Sequence, residues 1–208
     1  MSLNMLKHFK PNCTALLVID VQNDFCHPNG FSARNGKNIR YMQGILPKLR
    51  EVINKARKAG LKIIFVKSYF DEKYPSPSMR IRKIYLGRTE DVCPEGSWNS
   101  EFIIMPEEGD LTIVKNAFSA FIETSLEEVL REKDIKSLAV TGVLTNVCCE
   151  STLRDEFMLG FNTVLIEDCC ASDNMDAHSA TVYNVKNYFG WVINSNTLFN
   201  FWLSDLKG

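Results

Sequence analysis

Thr-Gly-Val-Leu-Thr-Asn-Val-Cys-Cys-Glu-Ser-Thr-Leu-Arg-Asp-Glu, residues 141–156, lies where an apolar run gives way to a helical pattern. The run Ser137–Val140 predicts a strand that ends in a turn at Gly142, and a helix is predicted to begin near Asn146. Cys148 would then lie in the first helical turn, beside unpaired N–H groups and the positive end of the helix dipole. Both features favour the thiolate, the form that attacks a carbonyl carbon. From this stretch alone, two small buried core cysteines are an equally good interpretation.

The rest of the chain alternates apolar strand patterns with amphipathic helical patterns. The other predicted strands are Thr14–Ile19, Lys62–Val66, Leu111–Val114, Asn162–Ile166 and Gly190–Ile193. The predicted helices are Gly44–Lys58, one opened by Thr124 or Ser125, one over Met175–Tyr188 with Asp173 as its cap, and a terminal one capped by Ser195 or Asn196. Continuous apolar strands separated by helices indicate a buried parallel sheet with right-handed crossovers. We therefore predict an α/β fold: one domain, residues 1–208, with three α/β/α layers around a six-stranded parallel sheet.

Composition narrows the class of protein. The 208 residues are 45% hydrophobic and 24% charged, as in an ordinary globular protein. The net charge is −1, so the sequence lacks the excess of basic residues that is typical of a nucleic-acid-binding protein. It has no apolar run near the roughly 20 residues that span a bilayer and no apolar signal core at its start, so we expect no membrane partner and a cytoplasmic location. Seven cysteines without a Cys-x-x-Cys pair, and three histidines, predict reduced thiols and no zinc site.

Three reactive side chains follow predicted strands. Asp20 closes the first, Lys115 the third, and Cys148 comes after the fourth. Ligands of open α/β sheets bind beyond the carboxyl ends of the strands, so these groups converge if their strands are neighbours. The ammonium and the helix dipole would stabilise a thiolate, and the carboxylate would take the thiol proton. Taken singly, Asp20 is better explained by a turn or a cap, and Lys115 by an exposed loop. Their joint placement with Cys148 at three strand ends is what favours catalysis.

Residues 69–110 interrupt the alternation. The segment contains four prolines, the aromatic residues Tyr69, Phe70, Tyr74, Tyr85, Trp98 and Phe102, and the basic group Arg80, Arg82, Lys83 and Arg88. A long excursion within a compact domain is usually functional or disordered, and the aromatic content favours packing. We predict a lid or pocket wall. Its basic residues form either a solvated face or a surface that steers an anionic substrate.

Three motifs resemble the isochorismatase-like cysteine hydrolase superfamily. They are Ile-Asp-Val-Gln-Asn-Asp-Phe at 19–25, Val-Lys-Asn-Ala-Phe-Ser-Ala-Phe at 114–121 and Gly-Val-Leu-Thr-Asn-Val-Cys at 142–148. The resemblance runs from Thr14 to Trp202. The stretches 146–155, 96–98 and 187–192 are most similar to ureidoacrylate amidohydrolases and related ureido-cleaving enzymes.

The resemblance implies roles for particular residues. Asp20, Lys115 and Cys148 would form the catalytic triad. A cis peptide between Val143 and Leu144 would help to turn the N–H groups of Leu144 and Cys148 toward an oxyanion. Losing one such donor typically slows a reaction on the order of 100-fold or more.

The chain also departs from two branches of the superfamily. Nicotinamidases hold a metal through an aspartate and several histidines, whereas residues 27–70 offer only His27 and no Asp-x-His. We therefore expect no metal and no cofactor. Isochorismatases generally lack the nucleophilic cysteine, so Cys148 argues against that activity, while Cys149 is predicted to be a buried core residue.

These inferences predict a metal-independent cysteine amidohydrolase that cleaves a C–N bond of a small ureido or carboxamide substrate through a thioester-type intermediate. The candidate pocket residues are Asn23, Phe25, Trp98 and Ser119. Taken singly, each of them is better explained by packing than by contact with the substrate. The resemblance implies a homo-oligomer, a dimer or tetramer. Alternative activities are hydrolysis of biuret or an N-carbamoyl amino acid, then isochorismatase or nicotinamidase activity. A non-catalytic redox sensor that uses the vicinal cysteines is the alternative from another class.

Overall fold

The computed structural model describes residues 5–70 and 77–205. Its six strands are all parallel: β1 Thr14–Ile19, β2 Lys62–Ser68, β3 Leu111–Lys115, β4 Ser137–Val143, β5 Asn162–Ala171 and β6 Trp191–Ile193. They form one sheet in the order β3-β2-β1-β4-β5-β6. The α-helices of the described residues are α1 Asn23–Cys26, α2 Phe31–Arg34, α3 Arg40–Lys58, α4 Pro77–Tyr85, α5 Leu126–Glu132, α6 Glu150–Met158, α7 Met175–Asn184 and α8 Ser195–Asp205. The six-stranded parallel sheet is confirmed.

Strand β1 lies at the centre of the sheet and is buried along its whole length. Alternate side chains of a strand point to opposite faces. Leu16 and Val18 belong to a core cluster with α3 and α8, whereas Leu17 and Ile19 belong to a second cluster with α5 and α6. The helices therefore cover both faces, which confirms the three-layer α/β/α architecture. Within the described ranges, no helix has the length and apolar character needed to cross a bilayer.

Four strands are longer than the sequence predicts, and two predicted caps are wrong. Strands β2, β4 and β5 run beyond their apolar cores to Ser68, Val143 and Ala171, and β3 includes Lys115. Helix α7 is capped by Asn174, whose side chain accepts from the N–H of Ala177, and not by Asp173. Asn194, rather than Ser195 or Asn196, accepts from the N–H of Thr197 at the start of α8. In both cases the capping side chain belongs to the residue just before the first helical residue.

The chain approaches itself closely where β4 ends. Gly142 has φ of 116°, and a Cβ at this position would lie 2.1 Å from the carbonyl oxygen of Ile19 on β1. Only glycine fits such an approach. A single π-helical turn, Thr145–Cys149, follows and leads into α6. The predicted helix start is therefore a π-helical turn, and Cys148 lies inside it.

The excursion 69–110 folds against the carboxyl end of the sheet. It contains α4 and a 3₁₀ turn at Trp98–Ser100, and antiparallel bridges join Phe70 to Val92 and Gln22 to Phe102. Residues 71–76, which include the predicted lid residue Tyr74, lie outside the described residues. The placement supports the lid or pocket wall, which stays a prediction.

Candidate active site

Asp20 and Lys115 form an ion pair with no exposed side-chain surface. Lys115 Nζ donates to Asp20 Oδ2 at 2.9 Å, to Ser68 Oγ at 2.7 Å and to the carbonyl oxygen of Ala117 at 3.0 Å. Ser68 Oγ donates in turn to Asp20 Oδ1 at 2.8 Å. Burial acts to lower the pKa of Lys115, but its interactions with Asp20 and Cys148 outweigh burial and raise that pKa above its ordinary value. The lysine is therefore a fixed cation at neutral pH.

Ser68 is a polar partner that the sequence analysis missed. Strand β2 lies between β1 and β3, and Ser68 pairs with Lys115 in the β2–β3 ladder. The predicted strand ended at Val66, two residues too early, because its apolar run ends there. A predicted strand that continued through Lys67 would have placed the Ser68 hydroxyl between Asp20 at the end of β1 and Lys115 at the end of β3.

The third predicted catalytic residue, Cys148, lies beside this pair and is 4% exposed. Burial raises the pKa of its thiol well above the ordinary value, and Asp20 raises that pKa further, whereas Lys115 lowers it. Hydrogen bonding to Asp20 contributes to the same shift. Instead of the stabilised thiolate that the helix start suggested, the arrangement favours a neutral thiol next to a carboxylate that can accept its proton.

The backbone before Cys148 has the predicted unusual geometry. The peptide bond between Val143 and Leu144 is cis. The carbonyl oxygen of Leu144 accepts from the N–H of Val147 at 3.1 Å and from that of Cys149 at 3.2 Å. Cys149 is fully buried, in agreement with its predicted place in the core. All seven cysteines are free thiols in the structure.

The four candidate pocket residues occupy different environments. Asn23 is buried on α1, and its amide nitrogen donates to the carbonyl oxygen of Trp98 at 2.8 Å. Trp98 is 43% exposed and meets the His27 ring edge-on at 4.9 Å between centroids. Phe25 is buried in the core cluster beside α3, and Ser119 Oγ accepts from the N–H of Phe121. Asn23 and Trp98 thus join α1 to the excursion, and substrate contact by all four stays a prediction.

Asp24 is a second buried polar residue that was not singled out from the sequence. Its carboxylate accepts from the N–H of Phe31 at 2.8 Å, from the N–H of Cys93 at 2.7 Å and from the side chain of Asn99. The carboxylate therefore fixes the excursion to the segment after β1. The sequence signal that could have identified Asp24 is its position in the motif at residues 19–25, four residues after Asp20.

A cavity of about 210 Å³ opens beneath α4. Phe70 and Phe118 form its inner wall, with ring centroids 5.8 Å apart. The ring of Phe70 also lies 5.1 Å from Lys115 Nζ. Phe70 therefore contacts both the cavity and the buried ion pair, whereas Asp20, Lys115 and Cys148 do not line the cavity. In residues 5–70 and 77–205, no group of three or more His, Cys, Asp and Glu side chains is arranged to hold a metal ion.

Comparison with known proteins identifies the family of the chain. The isochorismatase domain model matches residues 14–197. The chain belongs to the isochorismatase family. It is 31% identical over 205 residues to the ureidoacrylate amidohydrolase RutB of Acinetobacter baylyi, covering 91% of this chain and 84% of that protein. The chain is thus a hydrolase of the isochorismatase family.

Several solved structures share the fold. A cysteine hydrolase from Pseudomonas syringae pv. phaseolicola superposes with a TM-score of 0.83 at 23% identity, covering 94% of each chain. The N-carbamoylsarcosine amidase of Thermoplasma acidophilum gives a TM-score of 0.70 at 26% identity, covering 88% of this chain and 96% of that one. The nicotinamidase PncA of Bacillus subtilis gives 0.74 at 23% identity, covering 88% and 99%.

Proposed function

We propose that this chain is a cysteine-dependent amidohydrolase that cleaves a C–N bond of a small ureido acid, with ureidoacrylate as the leading candidate. The observation that carries the proposal is the buried Asp20–Lys115 ion pair in contact with the Cys148 thiol. A base, a fixed cation and a nucleophile in contact are the minimum for nucleophilic attack on a carbonyl carbon. The identity to a ureidoacrylate amidohydrolase supports the substrate class.

The first half-reaction forms a covalent intermediate on Cys148. Asp20 takes the thiol proton as sulfur attacks the substrate carbonyl carbon, and the carbonyl oxygen becomes an oxyanion. The N–H groups of Leu144 and Cys148 are the proposed donors to that oxyanion. The C–N bond then breaks, and the carboxyl of Asp20 gives its proton to the leaving nitrogen. Ammonia or an amine departs, and the carbonyl group remains bound to sulfur as a thioester-type intermediate.

Water completes the reaction. Asp20 takes a proton from the water molecule as the water oxygen attacks the thioester carbon. The carbon–sulfur bond then breaks. The carboxyl then returns that proton to the sulfur, which restores the neutral thiol. Lys115 remains charged throughout, because its pKa lies above the ordinary value, and it offsets the negative charge of whichever of Asp20 and Cys148 is ionised. The thiol's raised pKa fits this cycle, since proton transfer to Asp20 accompanies attack.

The cavity beside the ion pair supports an acidic substrate. Its charged lining includes Lys83 and Glu90, which pair with Asp91 and Arg34 respectively. The other two charged groups of the lining are Arg82 and Arg88, and among the described residues neither has a carboxylate partner. A guanidinium binds a carboxylate with two parallel hydrogen bonds. A ureido acid could therefore place its carboxylate on these arginines and its ureido carbonyl toward Cys148.

The redox-sensor alternative has less support. A sensor cysteine needs an exposed thiol of low pKa. Cys148 and Cys149 are buried, and burial raises the pKa of both thiols. Hydrolysis of an N-carbamoyl amino acid remains a second candidate, favoured by the structural match to N-carbamoylsarcosine amidase. Such substrates also combine a ureido group with a carboxylate.

The proposal is tested by measuring ammonia release from ureidoacrylate, N-carbamoylglycine, biuret and nicotinamide. We expect turnover of the two ureido acids above the neutral amides, and a carbonyl adduct on Cys148 in mass spectra of the quenched reaction. Cys148→Ala should abolish turnover and leave the fold intact, whereas Cys149→Ala should retain activity. Turnover by Cys148→Ala, or an adduct on Cys149, would contradict the mechanism.

A further inference from the structure

The segment that carries Cys148 is hydrogen-bonded to side chains of residues that follow β5 in the sequence. His178 on α7 is 6% exposed, and its Nδ1 lies 2.9 Å from Thr145 Oγ1, which is fully buried. Ser172, just after β5, donates from Oγ to Asn146 Oδ1 at 2.6 Å. Thr145 and Asn146, two consecutive residues of the π-helical turn, therefore each have a buried side-chain partner outside that turn.

Helix α7 has a further link on the other side of the cysteine. Glu150, the first residue of α6, accepts from Thr181 Oγ1 and, at 3.1 Å, from the amide nitrogen of Asn184. Both donors lie on α7, like His178. Helix α7 thus contacts the chain both before and after Cys148, through Thr145 and Glu150.

The link through Thr145 lies nearest to the proposed oxyanion donors. Thr145 directly follows Leu144, whose carbonyl oxygen accepts from Val147 and Cys149. Thr145 itself accepts, at its carbonyl oxygen, from the N–H of Glu150. Anchoring its side chain therefore fixes the backbone that carries the N–H groups of both Leu144 and Cys148.

We propose that His178 is a positioning residue that acts through Thr145 and holds residues 144–149 in the geometry that the reaction needs. The inference rests on the proposed amidohydrolase function. His178 has no assigned contact with the substrate, and its role is to anchor one hydroxyl. A displacement of about 1 Å at a reacting group can cost on the order of 100-fold in rate, so a single buried link is sufficient to matter.

The neutral ring is the form that fits this role. Burial lowers the pKa of His178, against the opposing effect of Glu167. In the neutral form one ring nitrogen donates and the other accepts, so the hydroxyl of Thr145 and Nδ1 can share one hydrogen in either direction. Removing either partner leaves a buried polar atom of the other unpaired.

Four single variants separate positioning from simple stability. Thr145→Val and His178→Phe remove the link with little change of shape, whereas Thr145→Ser and His178→Asn keep a polar atom close to the original position. Thr163→Val is the matched control: Thr163, at the start of β5, is also buried, and its hydroxyl donates to the carbonyl oxygen of Phe189. It lies at the opposite end of the sheet from Cys148.

With a ureido acid as substrate, we expect Thr145→Val and His178→Phe to lower kcat about 10- to 100-fold with little change in KM. Thr145→Ser and His178→Asn should recover to within about threefold of the original kcat. Combining Thr145→Val with His178→Phe should cost no more than either change alone, because both remove the same bond. Thr163→Val should lower Tm without lowering kcat. Equal kcat for Thr145→Val and Thr163→Val would overturn the proposal.

A readout without substrate keeps the proposal separate from the proposed function. Iodoacetamide alkylation of Cys148, followed by peptide mass spectrometry, should be several-fold faster in Thr145→Val than in Thr145→Ser, since a loosened segment exposes the thiol. If no ureido compound is turned over, the proposed function fails, but this comparison still decides the role of Thr145 and His178. Equal alkylation rates in the two variants would overturn it.

Discussion

Lys115 Nζ lies 2.9 Å from Asp20 Oδ2 although the strands that end at these residues are not neighbours. Strand β2 separates them, and Ser68 at its end accepts from Lys115 and donates to Asp20. The hydroxyl thus completes a buried ring of polar contacts across three strand ends. Buried charges are tolerated only when their remaining hydrogen-bonding sites are also satisfied.

Ser68→Ala should therefore lower kcat about 10- to 100-fold, because both charged groups lose a partner in a site where orientation decides the rate. The measurement is the steady-state rate of ammonia release. Ser137→Ala is the matched control: Ser137 is fully buried and its hydroxyl donates to the carbonyl oxygen of His8, but it lies at the start of β4. Equal rates for the two variants would show that the Ser68 hydroxyl has no part in the chemistry.

The pKa of Cys148 predicts opposite effects for two charge-removing variants. Burial, and then Asp20, raise the pKa of the Cys148 thiol well above its ordinary value, whereas Lys115 lowers it. Asp20→Asn should therefore shift the alkylation of Cys148 by iodoacetamide to lower pH, although it abolishes turnover. Lys115→Met should shift the same profile to higher pH. The original protein should show slow alkylation at pH 7 that still increases at pH 9.

The control for these profiles is Cys149→Ala, analysed at the level of the Cys148 peptide. It removes the neighbouring thiol and leaves both charged groups in place. Its profile should lie close to the original one, with a shift to lower pH smaller than that of Asp20→Asn, because the Cys149 thiol makes the smallest contribution to the raised pKa of Cys148. Profiles that shift in the same direction in Asp20→Asn and Lys115→Met would mean that local opening, rather than charge, controls the reactivity of the thiol.

The sequence predicted the end of a strand correctly only where the apolar run ends at the same residue as the strand or one residue before it. Asp20 and Lys115 directly follow such runs, so their placement at one edge of the sheet follows from parallel pairing alone. Ser68 lies beyond the apolar run of β2, and a hydroxyl carries no hydrophobic signal. The contact of Asp20 with Lys115 across β2 depends on side-chain length and on the order of strands, neither of which periodicity encodes.

The geometry around Cys148 was only partly predictable. The cis peptide at Val143–Leu144 followed from the resemblance and not from the residues. The π-helical turn differs from the α-helical start that the pattern 146–156 indicated, because the pattern of apolar residues does not distinguish the two kinds of turn. The neutral thiol depends on burial, a tertiary property, whereas the helix-dipole argument considered only local backbone.

Glu156 on α6 offers a prediction about stability. It is fully buried, neither carboxylate oxygen has a hydrogen-bond partner among the described residues, and burial raises its pKa well above the ordinary value, with Asp155 adding to the shift. A folded-state pKa above the unfolded one stabilises the fold below the unfolded pKa, and this contribution is lost as pH rises through the folded pKa. Glu156→Gln should therefore raise Tm more at pH 8 than at pH 5.

The expected gain at pH 8 is roughly 4–8 °C if neutralising the carboxyl recovers about 2 kcal/mol. Glu132→Gln, an exposed change of the same type on α5, should give a Tm difference that does not vary with pH. Differential scanning fluorimetry across this range is sufficient. A pH-independent effect of Glu156→Gln would mean that the carboxyl ionises equally in the folded and unfolded states, so that burial does not raise its pKa.

The cavity beside the ion pair gives the last prediction, which concerns substrate selection. If Arg82 and Arg88 bind the substrate carboxylate, Arg82→Gln and Arg88→Gln should each raise KM for ureidoacrylate about 10-fold or more, the typical loss of one charge-assisted contact. The KM for neutral biuret should not change, because biuret has no carboxylate to lose. Arg80→Gln is the control on α4, the helix that carries Arg82, since Arg80 does not line the cavity. A similar rise in KM for both substrates would indicate that α4 has been displaced, and unchanged values would place the carboxylate elsewhere.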